Sequence, residues 1–225
     1  GTLMVKKLGF AASKLLQELL EPDSVVAISG GSTMAAVAEE MPILPFNPTV
    51  VPARGGVGAV VEYQANVIAS VLAERLRGTY KMLHLPDGLS QDSLHMLMTC
   101  EPQIKEISDL ISRTDVLLFG IGTAMHMADQ RHIADEVRKQ LVDNHAVGEA
   151  LGQYCDMDGK LIYSTNNIGL SLPDVAKVPN VIAVAGGQEK ASAIIGVMRA
   201  CQKGILIIDE QAAEGMRQLL QISAL

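Results

Sequence analysis

Four times in this chain a short apolar run stops at glycine and gives way to a helical pattern. That repeated unit constrains the fold more than any other feature. Ser24-Val25-Val26-Ala27-Ile28 runs into Ser29-Gly30-Gly31-Ser32-Thr33, and Thr49-Val50-Val51-Pro52-Ala53 into Arg54-Gly55-Gly56. Val116-Leu117-Leu118-Phe119 runs into Gly120-Ile121-Gly122-Thr123, and Val181-Ile182-Ala183-Val184-Ala185 into Gly186-Gly187-Gln188-Glu189-Lys190. Runs that are apolar throughout, rather than alternating, predict strands buried on both faces. Strands that alternate with helices predict a mostly parallel sheet with helices on both faces.

Other segments fill in the same α/β plan. Leu3 to Leu20 reads as an amphipathic helix, Glu62 to Arg77 as a long helix, and the segment after Lys190 as a helix to about Cys201. Tyr80 to Leu85 is expected to be a further strand, and Ile205 to Ile208 a last one before a terminal helix from Glu210. Leu151 to Ser164 differs, because Asp158-Gly159 between apolar runs predicts a hairpin, hence a small antiparallel insert near the sheet edge. Sequence leaves the paths of the loops at 86–92 and 164–172 open, and Asn166-Asn167 and Ser171 read as a lid or a plain turn. With 48% apolar residues the chain can bury a sizeable core, and with no Trp that core rests on Val, Ile, Leu, Ala and Met. The 225 residues are read as one domain.

The charge balance excludes some functions. A formal net charge of −7 makes this domain a poor DNA binder by itself, because phosphate contacts need Lys and Arg. Any bound anion needs a local positive pocket. Cys100, Cys155 and Cys201 are far apart and form no metal or redox pair, which fits a reduced, cytoplasmic protein. No apolar run approaches a membrane span, and the start does not read as a signal peptide.

Ligands of open parallel sheets sit beyond the carboxyl ends of the strands. Glycines there let backbone N–H groups approach an anion, and the helix starts that follow add a positive dipole end. The Ser32 and Thr33 hydroxyls can cap a helix or bind phosphate oxygens, and Arg54 and Lys190 sit on two other glycine loops. Any one of these loops is explained by turn chemistry alone. Four together point to a phosphate or carboxylate pocket. It is not a nucleotide motif: Gly30-Gly31-Ser32-Thr33 lacks a P-loop lysine, and Met125 stands where a dinucleotide fingerprint after Gly120 and Gly122 needs glycine. No cofactor is expected. Met125-His126-Met127 reads as packing rather than a metal site. Arg131, in a polar stretch, reads on its own as solvated surface. Glu149 reads equally as a strand-end carboxylate facing water, and Gln64 as a helix cap or a group facing the crevice.

Taken in order, Ser-Gly-Gly-Ser-Thr (29–33), Arg-Gly-Gly (54–56), Gly-Ile-Gly-Thr (120–123), Ala-Val-Gly-Glu (146–149) and Ala-Gly-Gly-Gln-Glu-Lys (185–190) resemble the sugar-binding domain of the SorC family of bacterial transcription regulators. The resemblance spans nearly the whole chain. Val51 to Asp92, with Leu83-His84-Leu85-Pro86-Asp87-Gly88, is closer still to a branch that controls glycolytic genes. The resemblance implies a Rossmann-like fold related to sugar-phosphate isomerases and deaminases. It implies a phosphorylated-sugar effector, for that branch fructose 1,6-bisphosphate, and a homodimer or homotetramer. It also implies an N-terminal helix-turn-helix domain that carries operator binding. That domain cannot be read here, so residues 1–225, which begin without Met, are expected to be the C-terminal effector-binding part.

Carried over by position, Gly30, Gly31, Ser32, Thr33 and Lys190 would hold one phosphate. Arg54 with Gly55, Gln64 and Arg131 would hold the second. Glu149 would accept from sugar hydroxyls, and Gly120 and Gly122 would line the floor. The rival is an isomerase or deaminase, which would need a base among Asp87, Asp92, His95 and Glu149. The dense acidic cluster of the ribose-phosphate isomerases is absent, so a non-enzymatic sensor is expected. A purely structural module would leave the basic loop residues without a role.

Overall fold

The computed structural model describes residues 1–56 and 60–221. Thr2–Leu19 (α1) leads into Val25–Ile28 (β1), Ser32–Glu40 (α2), Thr49–Pro52 (β2), Ala65–Arg75 (α3) and Thr79–Tyr80 (β3). Two further helices, Gln91–Cys100 (α4) and Pro102–Ser112 (α5), precede Val116–Gly120 (β4). Gly122–Thr123 (β5), Ala124–Gln130 (α6), Asp135–Asp143 (α7), Gly148–Ala150 (β6), Gln153–Cys155 (β7) and Leu161–Ser164 (β8) form an inserted unit. The chain then returns through Asn180–Val184 (β9), Ala191–Cys201 (α8), Ile205–Ile207 (β10) and Glu210–Leu219 (α9).

The main sheet has six strands in the order β10-β9-β4-β1-β2-β3, and all its pairings are parallel. Its strands read as unbroken apolar runs because both faces are covered. Val26, Ile28, Val50, Leu118, Ile182 and Val184 pack one way, with Leu8, Leu16, Met34, Ile68 and Leu72. Ala27, Val51, Leu117, Phe119, Val181 and Ala183 pack the other way, with Leu94, Ile107, Ile111, Ile194 and Val197. From β1 the chain winds to β2 and β3 on one side, then crosses to β4, β9 and β10 on the other. The reversal opens a crevice between β1 and β4, where such sheets place ligands.

The antiparallel insert is larger than the expected hairpin. Its order is β5-β6-β7-β8, so Gly122–Thr123 and Gly148–Ala150 join the hairpin strands. Ala124, Ala128, Leu141 and Tyr154 give it a small core of its own against α6 and α7.

Two expected elements are shorter than the sequence reading gave. Strand pairing ends at Tyr80 rather than reaching Leu85. Beyond it, the Asn66 side chain takes over as hydrogen-bond partner. It accepts from the Leu83 N–H at 2.9 Å and donates to the Leu83 carbonyl at 3.2 Å. The long helix from Glu62 is broken as well, because Val61–Tyr63 is a 3-10 turn and Gln64 is extended before α3 begins. No helix among the described residues is long and apolar enough to cross a membrane.

Candidate functional site

The four glycine loops lie at the carboxyl ends of β9, β4, β1 and β2, which are consecutive in the sheet. Adjacent strands are about 4.8 Å apart, so the loops after β9 and β2 are separated by about 14 Å, the scale of a small ligand charged at both ends. Gly31 is the N-cap of α2 at φ 111°, and no side chain caps that helix. Among the described residues the first-turn N–H groups at Ser32 and Thr33 have no side-chain acceptor, and the helix dipole adds positive potential there. Gly187, at φ 101°, opens the turn Gln188–Lys190, which puts Lys190 at the start of α8. Burial lowers the pKa of Lys190, with Glu189 and Asp209 acting in the opposite sense.

Several of the glycine N–H groups are already satisfied within the protein. Gly31 donates to the Tyr63 carbonyl at 2.8 Å, Gly55 to the Ile168 carbonyl at 2.8 Å, and Gly120 to Ser29 Oγ at 3.2 Å. Their glycines allow close packing more than open donation. A Cβ on Gly30 would lie 2.7 Å from the Tyr63 carbonyl oxygen, one on Gly55 2.3 Å from Asn167 Oδ1, and one on Gly122 2.5 Å from Met127 Cγ. The last contact accounts for Met127 as packing. A Cβ on Gly30 would also come within 3.9 Å of the Gln64 carbonyl carbon, so the Gln64 backbone lies beside the β1 loop.

The cluster around Arg54 ties together two arginines, two carboxylates, Thr165 and Asn167. Arg54 Nη2 donates to Asp87 Oδ1 at 2.7 Å and to Thr165 Oγ1 at 2.8 Å. Arg131, at the C-terminus of α6, donates to Asp87 Oδ2 at 3.3 Å and to Glu149 Oε1 at 3.0 Å. Glu149 also accepts from the Gly152 N–H at 2.6 Å, and Asn167 donates to Asp87 Oδ1 at 3.0 Å. The structure thus corrects the surface reading of Arg131 and the water-facing reading of Glu149, whose side chains are 21% and 4% exposed. Burial lowers the pKa of Arg54, and Asp87 and Glu149 only partly restore it. For Arg131, burial is outweighed by Glu149 and Asp87, and its pKa is raised.

The loops at 86–92 and 164–172 build this cluster together. Gly88 donates to the Asn166 carbonyl, Leu170 to the Ala53 carbonyl, and Arg54 forms an isolated bridge with Gly169. Sequence reasoning missed Thr165 and Asn167 as partners, and took Asp87 only as a candidate base. The Pro86-Asp87-Gly88 turn signature was the available signal. Tyr154 was missed too. It pairs across the strands with Glu149, is fully buried, and its hydroxyl has no hydrogen-bond partner among the described residues. The described residues hold no group of three metal-ligating side chains.

The Sugar-bind family model, which describes a sugar-binding domain, matches residues 2–218. The chain belongs to that sugar-binding domain family, in its SorC branch. It is 38% identical over 93% of its length to the central glycolytic genes regulator of Bacillus subtilis, and 39% identical over 91% to that of Priestia megaterium. It spans only 62% and 60% of those two relatives. A SorC-family transcriptional regulator structure from Enterococcus faecalis superposes with a TM-score of 0.87 at 37% identity, over 96% of this chain and 89% of that one. The full-length sorbitol operon regulator of Klebsiella pneumoniae shares the fold, with a TM-score of 0.85 at 22% identity over 96% of this chain and 72% of that one.

Proposed function

We propose that this SorC sugar-binding domain is the effector-sensing part of a bacterial repressor of glycolytic genes, and that its effector is fructose 1,6-bisphosphate. One phosphate lies against Gly30, Gly31, Ser32, Thr33 and Lys190. The other reaches Arg54 and Arg131, with Gly55 and Gln64 alongside. Glu149 accepts from sugar hydroxyls over a floor at Gly120 and Gly122. The observation that carries this reading is that cationic groups stand at both ends of one row of loops, across the β1–β4 crevice, in an otherwise acidic chain. Arg54 and Arg131 suit bidentate phosphate contact, and Lys190 supplies a point charge. The two glycolytic-gene relatives support the assignment to control of glycolytic genes.

The proposed mechanism is linkage rather than catalysis. The effector binds one conformation of a homodimer or homotetramer more tightly and shifts its population, and an N-terminal DNA-binding domain reads the shift. Glu149 supports a sensor over an isomerase, since its carboxylate is already engaged by Arg131 and the Gly152 N–H. The test is a thermal-shift panel of hexoses, their monophosphates and fructose 1,6-bisphosphate, with an isomerisation assay on the same hexose phosphates. Stabilisation by phosphorylated sugars without turnover is expected. Turnover that Glu149→Gln abolishes would overturn the reading.

A further inference from the structure

The two ends of the proposed site carry their charge differently. Among the described residues, no hydrogen bond or ion pair engages the Lys190 ammonium; Glu189 and Asp209 act on it only at longer range. Arg54 and Arg131, by contrast, share one carboxylate. Asp87 presents Oδ1 to Arg54 at 2.7 Å and Oδ2 to Arg131 at 3.3 Å. With Glu149 on Arg131, the cluster holds two guanidinium groups against two carboxylates and is formally neutral. A phosphate of about −1.5 to −2 charge gains little from a neutral cradle. It gains much from two arginines whose shared anion has left.

We propose that Asp87 is a built-in stand-in for the second phosphate: its carboxylate bridges Arg54 and Arg131 until the ligand's phosphate displaces it. Two features favour Asp87 over Glu149 as the group that leaves. The Asp87 side chain is 28% exposed, whereas that of Glu149 is 4% exposed. Glu149 is pinned on β6 by the Gly152 N–H, while Asp87 sits in a loop between β3 and α4. Phosphate also offers three acceptor oxygens where the carboxylate offers two, so it can serve both arginines with an oxygen to spare.

Two consequences follow. A monophosphate held at the Lys190 end leaves Asp87 in place, so Asp87 discriminates between singly and doubly phosphorylated sugars. Its departure also releases what it anchors. The Asn167 amide loses an acceptor, and the loop pairing of Gly88 with Asn166 loosens. The inference rests on the proposed sugar-phosphate site and adds to it a displaced residue.

The test measures fructose 1,6-bisphosphate and fructose 6-phosphate affinities for the wild-type chain and for Asp87→Asn. The substitution keeps an oxygen for Asn167 but removes the competing charge. The ratio of bisphosphate to monophosphate affinity is expected to rise by about tenfold or more, the scale of one charged hydrogen-bond partner. An unchanged or smaller ratio would overturn the inference while leaving the sugar-phosphate site standing. A wild-type chain that binds no bisphosphate would overturn both. A second readout needs no variant. Amide hydrogen exchange at Gly88 in the wild-type chain should quicken with saturating bisphosphate and not with monophosphate. Slowed or unaltered exchange with bisphosphate would overturn the inference even if Asp87→Asn fails to fold.

Discussion

Gly169 faces Arg54 across an isolated antiparallel bridge, and a Cβ on Gly169 would lie 2.2 Å from the Arg54 Cβ. The glycine adopts φ 148°, which L side chains rarely take. Only glycine lets the 164–172 loop lie this close to the arginine, and that approach brings Thr165 Oγ1 within 2.8 Å of Arg54 Nη2.

Gly169→Ala is therefore expected to destabilise the domain by about 1–3 kcal/mol, through overpacking and backbone strain. It should also weaken bisphosphate binding, because Arg54 must shift. Urea denaturation and titration calorimetry check the two effects. An unchanged unfolding midpoint would mean that the loop is not held against Arg54.

Tyr154→Phe should be neutral, or stabilising by up to about 1 kcal/mol. The substitution removes a hydroxyl that is buried and has no partner among the described residues, and keeps a ring packed against Tyr163 at a 6.0 Å centroid separation. Tyr154→Ala should cost about 3–5 kcal/mol by emptying the core of the insert. Denaturant titration separates the two. A loss above about 1 kcal/mol for the Phe variant would mean the hydroxyl makes a bond of consequence.

Lys190 gives the site a pH dependence. Its folded pKa is lowered by burial, so between that value and the ordinary lysine value of 10.5 the unfolded chain holds the proton more often than the folded one. Stability then rises with pH across that window, and the buried charge works against folding at lower pH. A bound phosphate favours the charged form. Affinity should hold steady from neutral pH and fall as pH rises through the depressed pKa. Lys190→Met should stabilise the free domain, bind phosphate poorly and lose this pH dependence. Calorimetry and thermal melts from pH 7 upward would show all three.

The cysteines should separate by reactivity. Burial, with smaller contributions from Asp156, Glu149 and Cys201, pushes the Cys155 thiol up to about 12. Cys201 is raised by burial as well, while Cys100 is exposed. Thiolates are the reactive form, so iodoacetamide at pH 8 should label Cys100 first. Mass spectrometry of the peptides checks the order. Fast labelling of Cys155 in the folded protein would contradict its burial.

What the sequence revealed depended on how local the signal was. The four strands before the glycine loops could be read because a doubly covered strand is apolar at every position, as in Val116 to Phe119. The Asp158-Gly159 hairpin showed itself by its turn. The two strands that enlarge it, Gly122–Thr123 and Gly148–Ala150, are too short for any periodicity. The same limit applies to the site. Ser32, Arg54 and Lys190 lie on glycine loops and stand out. The Arg54 partners Asp87 and Thr165 are 33 and 111 residues away, and no local pattern links them. Arg131 looked like surface because it stands in a polar stretch, and Glu149 like a water-facing carboxylate because it ends a short apolar run. The fold buries them against each other as an ion pair, and no local pattern shows that pairing.

The most direct test is calorimetric titration of fructose 1,6-bisphosphate and fructose 6-phosphate into the wild-type chain, Lys190→Ala and Arg54→Ala. Saturable binding of the bisphosphate is expected in the wild type and should vanish in Lys190→Ala. In Arg54→Ala the bisphosphate should weaken by about tenfold or more, and the monophosphate far less. Equal losses for both ligands in Arg54→Ala, or no saturable binding by the wild-type chain, would contradict a two-ended phosphate site.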